Sequence, residues 1–518
     1  QWNYTLFHFV KVLLITNYMK FIKNQILIVA ILFSTNLFAQ DFDGYALYNL
    51  QNNSTTYLVD KDGEIAHSWS CNTNANYAVF LKDNGNLVRQ GVVTGAQLNG
   101  AAAGGIIQEY DKDANVVWEF TYSDADHRSH HDFTVMPNGN VLLVAWEVKT
   151  AAEMSAAGYA SSTEKWPTHI IEVEQDGTGG KIVWEWHIWD HLIQDKDVDK
   201  PNYGVVSEHP ELMDINVPSS GRGGGPGGNG GDWFHVNGID YNEELDQIAF
   251  SSRYMSEIFI IDHSTTTTEA ASHAGGNAGK GGDFLFRYGN PSNYGSTAPK
   301  VITSAVHDIR WIENDGRPNA GWLQFFNNAG GANKSSVVDA INPSRNGYNY
   351  TFTSGSFQPT IHGWRHNCLA NSDGQSASDR LSNGNIFVAV SKQYMYEVDT
   401  NGNTIWQYSA APPKGFRREC SHPGIIALLN DPCGVANIEN IASQSIKLYP
   451  NPSFGEFTIE GVENELNYKV EIANVLGKIV YLAKNQSKHN LLDLVNGQYA
   501  VIITTDNIRV VQPLILVR

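Results

Sequence analysis

Near neutral pH the imidazole is the side chain best able to exchange a proton or attack an electrophile. Three of the 17 histidines of this chain recur at one phase of a repeating pattern. His131 stands five residues before Met136, at the head of a hairpin phrase. The same slot returns as His-x-apolar in His235-Val236-Asn237-Gly238-Ile239 and in His307-Asp308-Ile309-Arg310-Trp311, while Asn76 and Ser376 fill it in two other copies. His130 is out of phase. Arg253, from Ser251-Ser252-Arg253, adds a planar fork of donors and Asn237 an amide, a set suited to binding an oxyanion. Asp308 is a candidate to orient His307, although neighbours on a strand point to opposite faces. Three histidines with an open position are also a zinc pattern, but a guanidinium opposes a cation, so no metal and no cofactor is expected.

The elements that must position these residues are strands. One phrase is a hairpin, as in Leu81-Lys82-Asp83-Asn84-Gly85-Asn86-Leu87, Met136-Pro137-Asn138-Gly139-Asn140-Val141 and Leu381-Ser382-Asn383-Gly384-Asn385-Ile386. Asn-Gly between apolar runs predicts a tight turn because both residues tolerate positive φ. The second phrase is a strand, an acidic turn and a strand ending in Trp: Tyr57-Leu58-Val59-Asp60 to Trp69, Gln108-Glu109-Tyr110-Asp111 to Trp118, Ile171-Glu172-Val173 to Trp184, and Tyr396-Glu397-Val398-Asp399 to Trp406. Joined, the two phrases make four consecutive antiparallel strands, one propeller blade. Helical periodicity is nearly absent. The pattern predicts an all-β fold, a β-propeller of six blades over residues 40–435, in preference to a sandwich or β-helix. The first strand of each blade lines the axis, so equivalent positions converge at one mouth of the channel.

Composition sets the remaining bounds. The 518 residues imply more than one domain, and a 42% hydrophobic, 17% charged composition supports a packed core. A net charge of −19 excludes general nucleic-acid binding. It also means that an anionic substrate needs local cations. From Met19 the sequence MKFIKNQILIVAILFSTNLFAQ reads as a secretory signal peptide with cleavage after Ala39 and a mature start at about Gln40. Residues 1–18, without a Met, read as upstream translation. The apolar run is shorter than the ~20 residues of a spanning helix, so no stable membrane span is expected. Export permits disulfides among Cys71, Cys368, Cys420 and Cys433, with Cys420–Cys433 the shortest loop. Ser219 to Asp232 is Gly-rich and lacks the Gly-Lys-Ser/Thr of a phosphate loop; it reads as a linker or as a lid. After a linker at 436–445, alternating strands over 446–518 predict a small C-terminal β-sandwich.

The runs Asp232-Trp233-Phe234-His235-Val236-Asn237-Gly238-Ile239, Ile248-Ala249-Phe250-Ser251-Ser252-Arg253, Gly282-Asp283-Phe284-Leu285-Phe286-Arg287-Tyr288-Gly289 and Val306-His307-Asp308-Ile309-Arg310-Trp311 resemble the bacterial arylsulfate sulfotransferase family over roughly residues 41–420. The resemblance implies a six-bladed propeller that moves a sulfuryl group from a phenolic sulfate to a phenol through a sulfated histidine, without a nucleotide donor. It places the nucleophile at His307, sulfate-binding and acid/base roles at His235, Asn237 and Arg253, and a further catalytic histidine at His131. The family's N-terminal β-sandwich has no counterpart before Tyr45, and its late basic residues cannot be matched among Lys414, Arg417 and Arg418. The Tyr449-Pro450-Asn451-Pro452 opening and Gly497-Gln498-Tyr499 resemble the sorting domain of the type IX secretion system. That implies the secretion machinery as a partner, and release or display beyond the outer membrane. The competing functions are a noncatalytic extracellular propeller that binds sulfated or phenolic ligands, and a histidine-based metal-dependent hydrolase.

Overall fold

The structure is a computed structural model that describes residues 44–217, 231–301, 303–430, 447–460, 468–474, 478–505 and 509–517. The expected signal peptide, most of the Gly-rich segment, the linker and Cys433 lie outside the described residues. The chain divides into two compact units, residues 1–429 and 430–518. The first is an all-β propeller.

Among the described residues of that unit, six four-stranded antiparallel sheets follow one another. Their inner strands are Ala75–Leu81, His127–Val135, Val236–Asn242, Val306–Trp311, Ala377–Arg380 and Gly415–Glu419. Each of the first five is followed in sequence by the other strands of its own sheet. The last, Gly415–Glu419, instead pairs with Gly44–Asn49, so the end of the unit supplies the inner strand of the sheet that its beginning opens. Neighbouring inner strands pack side by side, and Gly415–Glu419 packs against both Ala377–Arg380 and Ala75–Leu81, which closes the ring.

Both repeated phrases have a structural cause. Trp69, Trp118, Trp184 and Trp406 are buried, and each indole N–H reaches into the next sheet. They donate to Asp111 O at 3.0 Å, Gly179 O at 2.6 Å, Thr265 Oγ1 at 3.2 Å and Lys61 O at 3.1 Å, respectively. The tryptophan that ends each phrase is thus a bolt between sheets. The acidic turn presets its own geometry: Asp60, Asp111 and Asp399 each accept from backbone N–H groups two and four residues on.

The hairpins differ from expectation. Gly85, Gly139 and Gly384 take φ near +90° as required, but the preceding asparagines do not share it. Asn84, Asn138 and Asn383 instead accept the N–H two residues on, at 2.9–3.0 Å. The asparagine therefore works through its side chain, and the turn is a longer loop with one left-handed glycine.

The second unit contains a three-stranded sheet (Lys447–Tyr449, Glu456–Glu460, Lys488–Asn490) and a four-stranded one (Ile479–Lys484, Tyr468–Asn474, Gly497–Thr505, Arg509–Leu516). Phe457, Ile459, Val470, Ile472, Val501 and Leu514 form its core. Cys71 and Cys368 carry free thiols, whereas Cys420 is disulfide-bonded.

Candidate active site

The inner strands are irregular where the site lies. Pairing with the second strand shifts register between Ala75 and Val79, between Ser129 and Phe133, between Val236 and Gly238, and between His307 and Arg310. His131 and His235 themselves adopt φ of 54° and 55°. Such bulges re-aim side chains out of the pleat. Here they also free polar side chains to latch one sheet to the next. The Ile239 N–H donates to Asp132, the Ser378 N–H donates to Asp308, and Asn237 Nδ2 donates to Val306 O at 2.7 Å.

His307 has the most constrained imidazole. Its Nδ1 lies 2.7 Å from Ala305 O and 2.7 Å from Asn328 Oδ1. The Asn328 amide is fixed by donation from its Nδ2 to Ser372 O and Gln375 O, which turns Oδ1 toward the ring. Both groups facing Nδ1 are acceptors, so Nδ1 carries the hydrogen and Nε2 keeps its lone pair. No partner among the described residues occupies Nε2. Burial pushes this imidazole well below the ordinary histidine range, and nearby Arg253 and His235 push it further. His307 is therefore neutral at pH 7, the form a nucleophile requires.

His235 is held differently. Asp232 accepts from its backbone N–H at 3.1 Å and from Nδ1 at 2.5 Å, and its ring stacks on Tyr254 with centroids 4.5 Å apart. Burial raises the Asp232 carboxyl, but His235 outweighs it and keeps the group ionised. With Nδ1 given to the carboxylate, the Nε2 of His235 is left to exchange a proton with a bound molecule.

His131 meets His235 edge to face at 4.4 Å. Its Nδ1 is 2.8 Å from Nδ1 of His130, so one of the two donates to the other. His130 lies behind it, stacked on Trp146 at 4.1 Å. Burial lowers both imidazoles, that of His130 to about 3.

The structure thus brings His131, His235, His307 and Arg253 together. The backbone N–H of Arg253 donates to His235 O. Its guanidinium makes no hydrogen bond or ion pair among the described residues. A Cβ on Gly374 would lie 2.5 Å from its Nη1, so a side chain there would push the guanidinium aside. Asn237 is fully buried, with Oδ1 accepting from Ser251 and Nδ2 holding the strand just before His307. The other two slot residues are latched as well: Asn76 donates to Ala102 O and Gln90, and Ser376 accepts from the Ser391 N–H.

Asp308 does not orient His307. It accepts from Lys414 Nζ at 2.9 Å and from Arg310 at 3.1 Å, and Asp132 accepts from the same two cations at 2.9 Å and 3.5 Å. This buried cluster of two carboxylates and two cations spans three sheets. Lys414 also lies close enough to His131 to help keep it neutral. At the other end of the inner strands opens a cavity of about 980 Å³, lined by Phe80, Phe416, Arg310 and Arg418 among others. The channel is thus filled with polar and charged groups rather than plugged by apolar ones.

Sequence reasoning named the histidines and Arg253 but missed Asn328, Asp232 and Gly374. Asp232 stood three residues before His235 in a quoted motif, while Asn328 and Gly374 left no local signal. Among the described residues, the two sets of side chains whose ligand atoms converge as for a metal lie outside this site.

Residues 15–351 match the family model described as arylsulfotransferase. Residues 447–517 match the model of the secretion system C-terminal sorting domain. No curated protein matches the chain. Among solved structures, a putative 6-phosphogluconolactonase from Bacteroides fragilis is 9% identical with a TM-score of 0.33, covering 74% of this chain and 99% of its own. BamB from Moraxella catarrhalis is 9% identical with a TM-score of 0.29, covering 70% and 87%. Apo AztD from Citrobacter koseri is 10% identical with a TM-score of 0.31, covering 90% and 98%.

Proposed function

Because the chain belongs to the arylsulfotransferase family, by a match over residues 15–351, we propose that it transfers a sulfuryl group from a phenolic sulfate ester to a phenol through a sulfohistidine at His307. The observation that carries this reading is the locked tautomer of His307, whose Nε2 has no partner among the described residues and which lies near Arg253, whose guanidinium is likewise unpaired among them.

The lone pair of Nε2 attacks sulfur, the N–S bond forms and the S–O(aryl) bond breaks. The transition state is loose, with charge on the peripheral and leaving oxygens, so positioning and electrostatics dominate, as in phosphoryl transfer. Arg253 holds the sulfuryl oxygens. The leaving phenolate, whose conjugate acid has a pKa of about 10, takes its proton from Nε2 of His235, whose ring Asp232 orients through Nδ1. His131 lines the same wall. As the His307 ring becomes cationic, its Nδ1–H bond to Ala305 O and Asn328 strengthens and spreads the charge. In the second half the acceptor phenol returns a proton to His235 and attacks sulfur. The N–S bond breaks and His307 is regenerated. Asn237 acts by holding the strand that carries His307.

The C-terminal sorting domain supports action outside the cell, after passage through the type IX secretion machinery. Incubation with 4-nitrophenyl sulfate and a phenol tests the activity. Nitrophenolate release together with formation of the acceptor sulfate is expected, and neither with His307→Ala. Equal turnover by that variant refutes the assignment.

A further inference from the structure

A second histidine cluster lies across the sheet built from His127–Val135, Val141–Glu147, Thr168–Asp176 and Gly179–His187. Its four strands carry, at one end, His127, Glu147, His169 and His187. His127 pairs directly with Glu147, and His169 directly with His187. One ligand atom from each of Glu147, His169 and His187 lies within 4.8 Å of the other two. We propose that these three side chains form a site for a divalent metal of the zinc class, separate from the sulfuryl-transfer site.

The outward atoms of the three are already held. His169 Nε2 is 2.9 Å from the Tyr122 hydroxyl, His187 Nε2 is 3.4 Å from Glu185 Oε2, and Glu147 Oε2 is 2.7 Å from Lys149. Partners of this kind fix the tautomer and orientation of metal-binding imidazoles. They leave His187 Nδ1 and Glu147 Oε1 to face each other, with His169 beside them. His169 is fully buried and its Nδ1 has no hydrogen-bond partner among the described residues. An orphaned buried nitrogen is costly, and a cation on its lone pair removes the cost. The distance from His187 Nδ1 to Glu147 Oε1 is 3.2 Å. Two ligands bound to tetrahedral zinc at its usual bond lengths stand about 3.3 Å apart, so this pair already has the separation a shared ion requires. Two histidines and one carboxylate leave a fourth position, and the partial exposure of His187 and Glu185 opens it to solvent.

Lys149 is the opposing charge. It also lies over the Trp189 ring at 5.1 Å, a contact that does not depend on Glu147. The other converging set, His191, His273 and Asp283, is weaker: both imidazoles meet a single Asp283 oxygen, and His273 is largely exposed.

The test uses the full chain carrying His273→Ala, stripped with chelator and titrated with zinc chloride and with cobalt chloride. One equivalent of zinc by elemental analysis and the visible absorption of four-coordinate cobalt are expected. Adding His187→Gln abolishes both, Glu185→Gln weakens binding about 10–100-fold, and Lys149→Met tightens it several-fold, by removal of a like charge. Thermal unfolding verifies that each variant folds, and Glu147→Gln carries the same test should His187→Gln not fold. Absence of stoichiometric uptake, or uptake unchanged by a folded His187→Gln or Glu147→Gln, overturns the proposal.

Discussion

The propeller carries two histidine clusters, and they hold their imidazoles in opposite senses. At the channel, Nδ1 of His307 and Nδ1 of His235 are pinned to a carbonyl, an amide oxygen and a carboxylate, so that Nε2 faces the site beside Arg253. At one end of the sheet that begins with His127–Val135, the Nε2 atoms of His169 and His187 are pinned to Tyr122 and Glu185, and Nδ1 of His187 faces Glu147. A guanidinium makes the first cluster a place for an anion, and a carboxylate makes the second a place for a cation. The nature of a histidine site is thus set by which nitrogen the scaffold occupies and by the sign of the charge that faces the other one.

The most severe way to break this contrast is His307→Ala, for which transfer is expected to fall by more than about 10⁴-fold, to background. His187→Gln leaves transfer unchanged in the same assay. Arg253→Ala is expected to cost about 10²–10³-fold in kcat/KM, the usual loss of one preorganised donor, and Arg253→Lys recovers only part of it. Asp232→Asn replaces the carboxylate that faces His235 Nδ1. It is expected to lower kcat about 10²-fold for donors with poor leaving groups and less for 4-nitrophenyl sulfate. Gly374→Ala pushes the guanidinium aside and is expected to raise KM about tenfold with a smaller change in kcat, since it disturbs sulfate binding more than nucleophilicity.

The smallest effect concerns stability against pH. Burial holds His130, His131 and His307 below the ordinary range. The unfolded chain therefore takes up protons below about pH 6.5 that the native state refuses, and stability falls as pH drops through that range, by up to about 1.4 kcal/mol per pH unit for each histidine. His263 has the opposite sign. Burial lowers it, but Asp246 and Glu172 more than compensate and raise it to about 9. Its contribution is complete below about pH 6.5 and is lost as pH rises toward 9. Thermal unfolding from pH 5 to 9 is expected to show a maximum near neutrality, with the acid limb flattened in His130→Phe.

Much of the fold was legible because its signals are local. The Asn-Gly hairpins and the tryptophan-ended strands repeat in sequence, and four of those tryptophans prove to be bonds between sheets. The closing strand Gly415–Glu419 was not legible, since nothing in its sequence says that it pairs with Gly44–Asn49, more than half the chain away. The site follows the same rule. His131, His235, His307 and Arg253 stood out by type and phase, whereas the groups that set their tautomers and charge are distant in sequence. Asn328 fixes His307 from the turn after the next strand, Gly374 admits Arg253 from the loop before Ala377–Arg380, and Lys414 takes the carboxylate of Asp308 that sequence adjacency had offered to His307.

The most direct measurement is intact-mass analysis of the protein after a brief pulse of 4-nitrophenyl sulfate without acceptor, followed by peptide mapping. One added sulfuryl group on the peptide containing His307, discharged when a phenol is supplied, is predicted. Turnover without any covalent adduct, or an adduct that maps to His131 or His235 instead, would contradict the account.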